Sequence, residues 1–295
     1  MLNLLLKHAG SERRLAVFLM MATNLLWSSG GLLIKGVDWN PVAIAGARSA
    51  VAALVIWLAF RGQRLSWSKA QIGGAVAYAA TVILFVSATK MTTAANAILL
   101  QYTMPIYVAL FGAWVLNEKP TAADWATIGV IAGGMGLFFL DQLSAGGLMG
   151  NIYGAASGAT LAVFCLCMRK QKDASPFGTV LLGNVLTTLI GLPFMLDSSP
   201  GSEGLINLAL LGVFQLGLAY VCYSVAIKHV TALETALIGA IEPVLNPIWV
   251  FLVLGERPGM WAMIGGSIIL VAVTIRCIKT TADQPMVEAK QAAVD

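Results

Sequence analysis

The sequence predicts an all-α polytopic membrane protein, with ten transmembrane helices arranged as two inverted five-helix repeats. Three observations carry this reading. The 295-residue chain is 58% hydrophobic and 11% charged, with a mean hydropathy of +0.82, whereas a soluble protein carries about 25% charged residues. Its apolar residues gather into runs of about 18 or more, the length a helix needs to cross the hydrocarbon core at about 1.5 Å per residue. One short pattern also ends two of these runs, as Leu116-Asn117-Glu118-Lys119-Pro120 and as Leu254-Gly255-Glu256-Arg257-Pro258.

The ten runs have cores at 15–34, 42–60, 70–89, 94–116, 122–140, 148–168, 177–196, 205–227, 232–254 and 259–277. They are too long and too evenly apolar for barrel strands. The division is therefore a short segment 1–14, a first repeat 15–140, a linker 141–147, a second repeat 148–277 and a polar tail 278–295. The first run lacks a small-x-small cleavage site and leads straight into Lys35, so it reads as a span, not a signal peptide. Cys165, Cys167, Cys222 and Cys277 lie in or beside apolar runs and read as buried thiols. His8 and His229 are isolated, so no metal site is expected.

Duplication is legible in register. The offset between Glu118 and Glu256 is 138, and it also pairs Lys90 with Lys228, Thr93-Ala94 with Thr231-Ala232, Leu99 with Leu237 and Pro105 with Pro243. Such a period is far too long for a solenoid. Five spans per copy is an odd number, so the second copy enters the membrane upside down. Inverted repeats of this kind are a common architecture of carriers, with the substrate site where the copies meet. With both termini in the cytoplasm, only Lys35, Lys90 and Arg257 of the 18 Lys and Arg residues face outward, and Arg48 falls within a span. The positive-inside rule selects that orientation. Basic charge thus reflects topology, and no basic, aromatic-interleaved patch points to nucleic acid.

Ionisable side chains inside hydrocarbon are costly and usually face the bundle interior. Glu242 sits mid-span beside Pro243, whose missing amide frees a backbone carbonyl. It could bind a substrate ammonium or a proton, or hold a distorted helix. Arg48 could attract an anionic group, such as an amino-acid carboxylate, or reach toward headgroups. Pro105, Pro243 and Pro247 are candidate kinks and hinges. Asn24, Gln101, Asn184, Gln215 and Asn246 are intramembrane amides suited to interhelical hydrogen bonds or to ligand contact. Trp27, Tyr78, Phe85, Tyr102, Phe164, Tyr220, Tyr223 and Trp249 supply aromatic surface within the spans. Trp39, Trp67, Trp125 and Trp261 lie near span ends and read as interfacial anchors. Glu118 and Glu256 read as turn elements. Gly129-x-x-x-Gly133, with Gly134 and Gly136 close behind, gives the fifth span a thin face for packing, and Gly265-Gly266 does likewise for the tenth.

The chain resembles the drug/metabolite transporter superfamily in its ten-helix form built from two EamA-type repeats. The resemblance rests on Ala88 to Ala94 and Ala226 to Ala232, the paired prolines, the doubled Glu-(Lys/Arg)-Pro ends, Asn24-Leu25-Leu26-Trp27-Ser28, and Pro41 with Arg48. The family's Glu-Pro dipeptide is kept as Glu242-Pro243 and becomes Met104-Pro105 in the first copy, so no symmetric carboxylate pair is expected. The resemblance implies export of small organic solutes, and within the family it points to the amino-acid exporters, including the aromatic amino-acid branch. It also implies a cavity between the first, third and fourth spans and the sixth, eighth and ninth. That narrows the candidate cavity residues to Asn24, Trp27, Tyr78, Gln101, Tyr102, Tyr223, Glu242, Asn246 and Trp249.

The expectation is a secondary transporter in a bacterial-type inner membrane, exporting small amphipathic metabolites, amino acids with aromatic or other apolar side chains foremost, by alternating access. Efflux of lipophilic cationic drugs is one alternative and an intramembrane enzyme another. No nucleotide-binding, protease or other catalytic signature appears in a suitable context, so neither catalysis nor a cofactor is expected. The expected partners are a small-molecule substrate and the bilayer, with the chain acting as a monomer or homodimer.

Overall fold

A computed structural model describes residues 2–138, 140, 147–197, 199–245, 249 and 259–291, with backbone alone for 2–11, 95, 138, 262, 277 and 279–291. All regular structure among these residues is helical. In chain order the helices are α1 (Leu2–Trp27), α2 (Gly30–Lys35), α3 (Pro41–Ala59), α4 (Lys69–Met91), α5 (Ala94–Gln101), α6 (Met104–Leu116), α7 (Ala122–Phe138), α8 (Leu148–Lys170) and α9 (Pro176–Met195). Then come α10 (Gly201–Leu210), a π-helical segment Leu211–Leu218, α11 (Ala219–Ala226), α12 (Ala232–Gly239) and α13 (Met260–Gln291). Seven segments of the described chain are long and apolar enough to cross a membrane, and Ala122–Leu137 and Met263–Arg276 are shorter apolar helices. The ninth run is represented by α12, a helical stretch over 241–245 and Trp249.

Local chemistry starts and stops these helices. Asn40 caps α3 by accepting from the Val42 amide, with Pro41 at the first helical position, where its missing N–H costs nothing. Ser68 accepts from Gln71 N to cap α4. Thr93 caps α5 through Asn96 N, and Thr231 forms a reciprocal capping box with Glu234 at the start of α12. These threonines occupy one position of the two repeats. Asn117 ends α6 in the left-handed region, at φ 56°.

The packing obeys an internal twofold. α3 runs along α9 and α7 along α13, contacts that exchange of the repeats maps onto themselves. α4 lies on α8, matched by α11 on α1; α4 also touches α9, matched by the π-helical segment on α3. A pseudo-twofold axis passes between α3 and α9, and their backbones approach closely there. A Cβ added to Gly191 would lie 2.7 Å from Gly46 Cα. In the α7–α13 pair the close contact is made by Gly134, whose added Cβ would lie 2.9 Å from Ile269 Cγ1, whereas Gly129 and Gly133 face open space. Of the glycine face expected on the fifth span, Gly134 makes the close approach, and Gly129, Gly133 and Gly136 do not.

Three runs expected as single helices are interrupted. The first breaks at Ser28–Ser29, the fourth at Tyr102–Thr103 and the ninth at Ala240. The last two have one cause. Proline cannot donate to the carbonyl four residues back; for Pro105 that residue is Gln101, and for Pro243 it is Gly239. These are the final residues of α5 and α12. The eighth run departs differently, with a π-helical segment in mid-span. Gly212 and Gly217 lie within it, and their missing Cβ atoms let α3 come close: an added Cβ at Gly217 would lie 2.9 Å from Val55 Cβ.

Candidate functional site

Where the two repeats meet, a chamber of about 40 Å³ is lined by Trp27, Arg48, Thr81, Val82, Phe85, Gln101, Leu161, Gln215, Leu216, Tyr220 and Glu242. A water needs roughly 10–15 Å³ of such space, so the chamber has room for a few waters. Any larger solute requires the helices to move apart.

Two ionisable groups from opposite repeats share this chamber. Arg48 is 2% exposed, which rules out the snorkelling alternative. Its Nη1 donates to Gln215 Oε1 at 3.1 Å, and its Nε has no hydrogen-bond partner among the described residues. Gln215 sits in the π-helical segment, and Gly30 faces its amide: a Cβ there would lie 2.9 Å from Nε2. Isolated π turns inside α-helices frequently mark functional sites. Here the segment aims an amide oxygen at a buried guanidinium.

Glu242 comes from the other side of the broken ninth span. Tyr102 lies at the matching break in the fourth. Its hydroxyl is 2.6 Å from Gly239 O and 2.7 Å from Glu242 Oε2. Gly239 O is the carbonyl that Pro243 leaves without an amide, so the phenol supplies what the proline removes. A phenol has one proton to give, and two oxygens lie within its reach.

An aromatic cluster backs the chamber. Trp27 packs on Tyr220 at 5.1 Å between centroids and on Tyr223 at 5.6 Å. Tyr78 meets Tyr220 edge-on at 4.9 Å, and Phe164 stacks on Tyr223 at 5.8 Å. Tilted and edge contacts of this kind add to area burial. The Tyr78 hydroxyl donates to Asn184 Oδ1 at 3.0 Å, the interhelical bond expected of an intramembrane amide.

Of the residues picked out by sequence, Trp27, Gln101 and Glu242 line the chamber. Tyr102 sits one contact behind, holding Glu242. Tyr78 and Tyr223 are fully buried in the aromatic cluster. Asn24 is buried too, with Nδ2 donating to Met20 O at 2.7 Å and Oδ1 without a hydrogen-bond partner. Trp249 donates from Nε1 to Ser28 Oγ at 2.7 Å, tying the ninth span to the break in the first. Pro105 and Pro243 adjoin the breaks described above. Asn246 and Pro247 lie outside the described residues. Chamber residues absent from the expected set are Arg48, Gln215, Tyr220, Phe85, Thr81, Val82, Leu161 and Leu216. For Arg48 and Gln215 a signal existed, a charge and an amide at mid-span. Thr81, Val82, Leu161 and Leu216 carry none. The second span also enters the chamber, through Arg48, beyond the six spans expected.

A chamber that bears Arg48 and Glu242 between two inverted helical halves fits a membrane carrier. The chain belongs to the EamA-like transporter family, within the drug/metabolite transporter superfamily, which it matches twice, over residues 14–140 and 148–276. It is 27% identical over 205 residues to an uncharacterized transporter of Archaeoglobus fulgidus, covering 69% of this chain and 74% of that one. It is also 27% identical over 272 residues to the pseudopaline exporter CntI of Pseudomonas aeruginosa, covering 87% and 93%. A solved crystal structure superposes with a TM-score of 0.76 over 89% of this chain and 97% of its own, at 19% identity; that likeness concerns the fold alone. The protein is therefore an integral membrane transporter, with a small-molecule substrate and a lipid environment.

Proposed function

We propose that the chain exports small zwitterionic, amphipathic metabolites by alternating access, amino acids with aromatic or other apolar side chains foremost. One observation carries this reading: Arg48 and Glu242, contributed by opposite repeats, line one chamber beside aromatic rings. Arg48, with an unpartnered Nε, suits a carboxylate. Glu242 suits an ammonium, and Trp27, Phe85 and Tyr220 suit an apolar side chain. The CntI relative supports export as the direction of transport. A lone organic cation would be placed beside Arg48, which disfavours the drug-efflux alternative. The excess of Lys and Arg on the face of the termini supports an inner-membrane protein with both termini cytoplasmic.

Coupling follows from the same geometry. When Tyr102 donates to Gly239 O, the contact with Glu242 Oε2 is filled by a proton on Glu242. When Glu242 is ionised, Tyr102 turns its proton to the carboxylate. Glu242 is then the group through which a proton or a substrate ammonium biases the two conformations. Such a bias requires differential affinity between them. Pro105 and Pro243 are the hinges.

Counterflow of labelled phenylalanine, leucine, paraquat and a nucleoside in proteoliposomes tests the assignment. Saturable exchange of the amino acids alone is the expected result. Exchange of paraquat alone would replace it with the cation reading, and no exchange of any solute would defeat the carrier assignment to this solute class.

A further inference from the structure

Glu234 and Asn96 are one position of the repeat, 138 residues apart. Each is the third residue after a threonine cap, Thr231 or Thr93, and each cap bonds its amide. The two lie on opposite membrane faces, because α12 starts on the face of the chain termini and α5 starts on the other. Both reach across the repeat boundary to the first span of the opposite half. Glu234 Oε1 meets Arg13 Nη2 of α1 at 2.5 Å, with both side chains under 10% exposed. Asn96 Nδ2 donates to Asn151 Oδ1 of α8 at 3.2 Å, and Thr92 Oγ1 donates to the same oxygen at 3.0 Å.

We infer that Glu234 with Arg13, and Asn96 with Asn151, are gate contacts of the transport cycle, one at each mouth. Both α5 and α12 are eight residues long, and both end at the carbonyl a proline has freed. Each is a short rigid lever with a gate contact near its start and the chamber beyond its far end: Gln101 is the last residue of α5, and Glu242 lies three residues past the end of α12, across the break. Rocking the halves apart at one face must break that face's contact and leave the other intact. The gates differ in kind. The ion pair is charge-assisted, and such bonds are roughly twice as strong as neutral ones. A second ion pair joins the repeats on that same face, Glu118 Oε1 with Arg169 Nε at 2.7 Å, so the gate on the face of the termini is the harder to open, and the resting protein favours opening to the opposite side. This inference rests on the carrier reading above and on its orientation for naming the sides.

The test is sided labelling of one cysteine placed at Thr81, with Cys165, Cys167, Cys222 and Cys277 replaced by serine, in vesicles of known orientation. An impermeant maleimide is applied from each face. Glu234→Gln removes the charge yet keeps the capping box, which accepts Gln as well as Glu. It should raise labelling from the face of the termini at least threefold and lower it from the other. The paired substitution Asn96→Glu with Asn151→Arg installs a second ion pair and should shift labelling the same way, by holding the opposite gate shut. Arg13→Gln repeats the first arm without touching the cap of α12. An unmoved labelling ratio in the folded variants, or opposite shifts from Glu234→Gln and the installed pair, overturns the gates. Phenylalanine counterflow by the unsubstituted protein, in vesicles prepared alike, separates the failures. Intact exchange with an unmoved ratio removes the gates alone; no wild-type exchange with a ratio that moves as expected removes the solute assignment and keeps them.

Discussion

The fourth and ninth spans break at the same place for the same reason and then do different things with the break. In the ninth, the carbonyl freed by Pro243 takes the Tyr102 hydroxyl, and the adjacent carboxylate of Glu242 faces the chamber. In the fourth, Met104 stands where Glu242 stands, and the carbonyl freed by Pro105, that of Gln101, is covered by Gly158. A Cβ there would lie 2.7 Å from Gln101 O. One break is built around a proton and a charge, the other around the absence of a side chain. A duplicated fold can thus keep its two breaks symmetric while placing a carboxylate beside only one of them.

The sharpest way to break this comparison is to neutralise each side in turn. Glu242→Gln should lower phenylalanine transport at sub-saturating substrate at least about tenfold, equivalent to about 1.4 kcal/mol, and should flatten its pH dependence. Met104→Leu is a volume-conserving change and should cost less than about 1.5 kcal/mol of stability with transport within about twofold. Equal losses from both would dissolve the asymmetry. Arg48→Lys comes next in size. It keeps the charge but loses the planar fork, so KM for phenylalanine should rise about tenfold, a loss of about 1.4 kcal/mol. The rise should shrink for phenylalaninamide, which has no carboxylate to lose. A similar rise for both compounds would assign Arg48 to packing instead.

Tyr102→Phe probes the join between the two breaks. It strands Gly239 O, and an unsatisfied buried acceptor costs about 1–3 kcal/mol. Thermal stability in detergent should fall by that amount, with a smaller loss of transport than Glu242→Gln produces. Unchanged stability would show that water replaces the phenol.

The large features of the fold were legible because they are written as period and register. Ten apolar runs, a constant offset from Lys90 to Pro120 and the paired prolines give the spans, the duplication and two of the breaks. The chamber was legible only where a residue type is out of place in hydrocarbon. Glu242 and Gln101 stand out for this reason, and Trp27 as an aromatic in a cavity-lining span. Arg48 stood out equally, but its chain position alone did not separate a buried guanidinium from a snorkelling one. That difference depends on Gln215 reaching it from 167 residues away. The π-helical segment that aims Gln215 has no period of its own to read. Gly212 and Gly217 were its only trace. Thr81, Val82, Leu161 and Leu216 look like any other span residue until helices from both repeats surround one space.

The smallest effect tests the silent half of the comparison. Alanine is the better helix former, by about 0.8–1.0 kcal/mol over glycine in a helix interior, a gain open in full to Gly158→Ala within α8 and only in part to Gly239→Ala at the last residue of α12. Their surroundings differ. At Gly158 the new methyl would lie 2.7 Å from Gln101 O, 2.8 Å from Thr103 Oγ1 and 3.0 Å from Leu100 O. Two of these are backbone atoms at a helix break and cannot turn aside. At Gly239 the nearest atom is Tyr102 Cε1 at 3.5 Å, an ordinary contact. Overpacking typically costs about 1–3 kcal/mol, so Gly158→Ala should be net destabilising by up to about 2 kcal/mol once the helical gain is subtracted. Gly239→Ala should be neutral or slightly stabilising. Thermal unfolding of the two variants side by side decides it. If Gly158→Ala is the more stable of the pair, the carbonyl freed by Pro105 is not held against that helix, and the fourth span's break is looser than the ninth's.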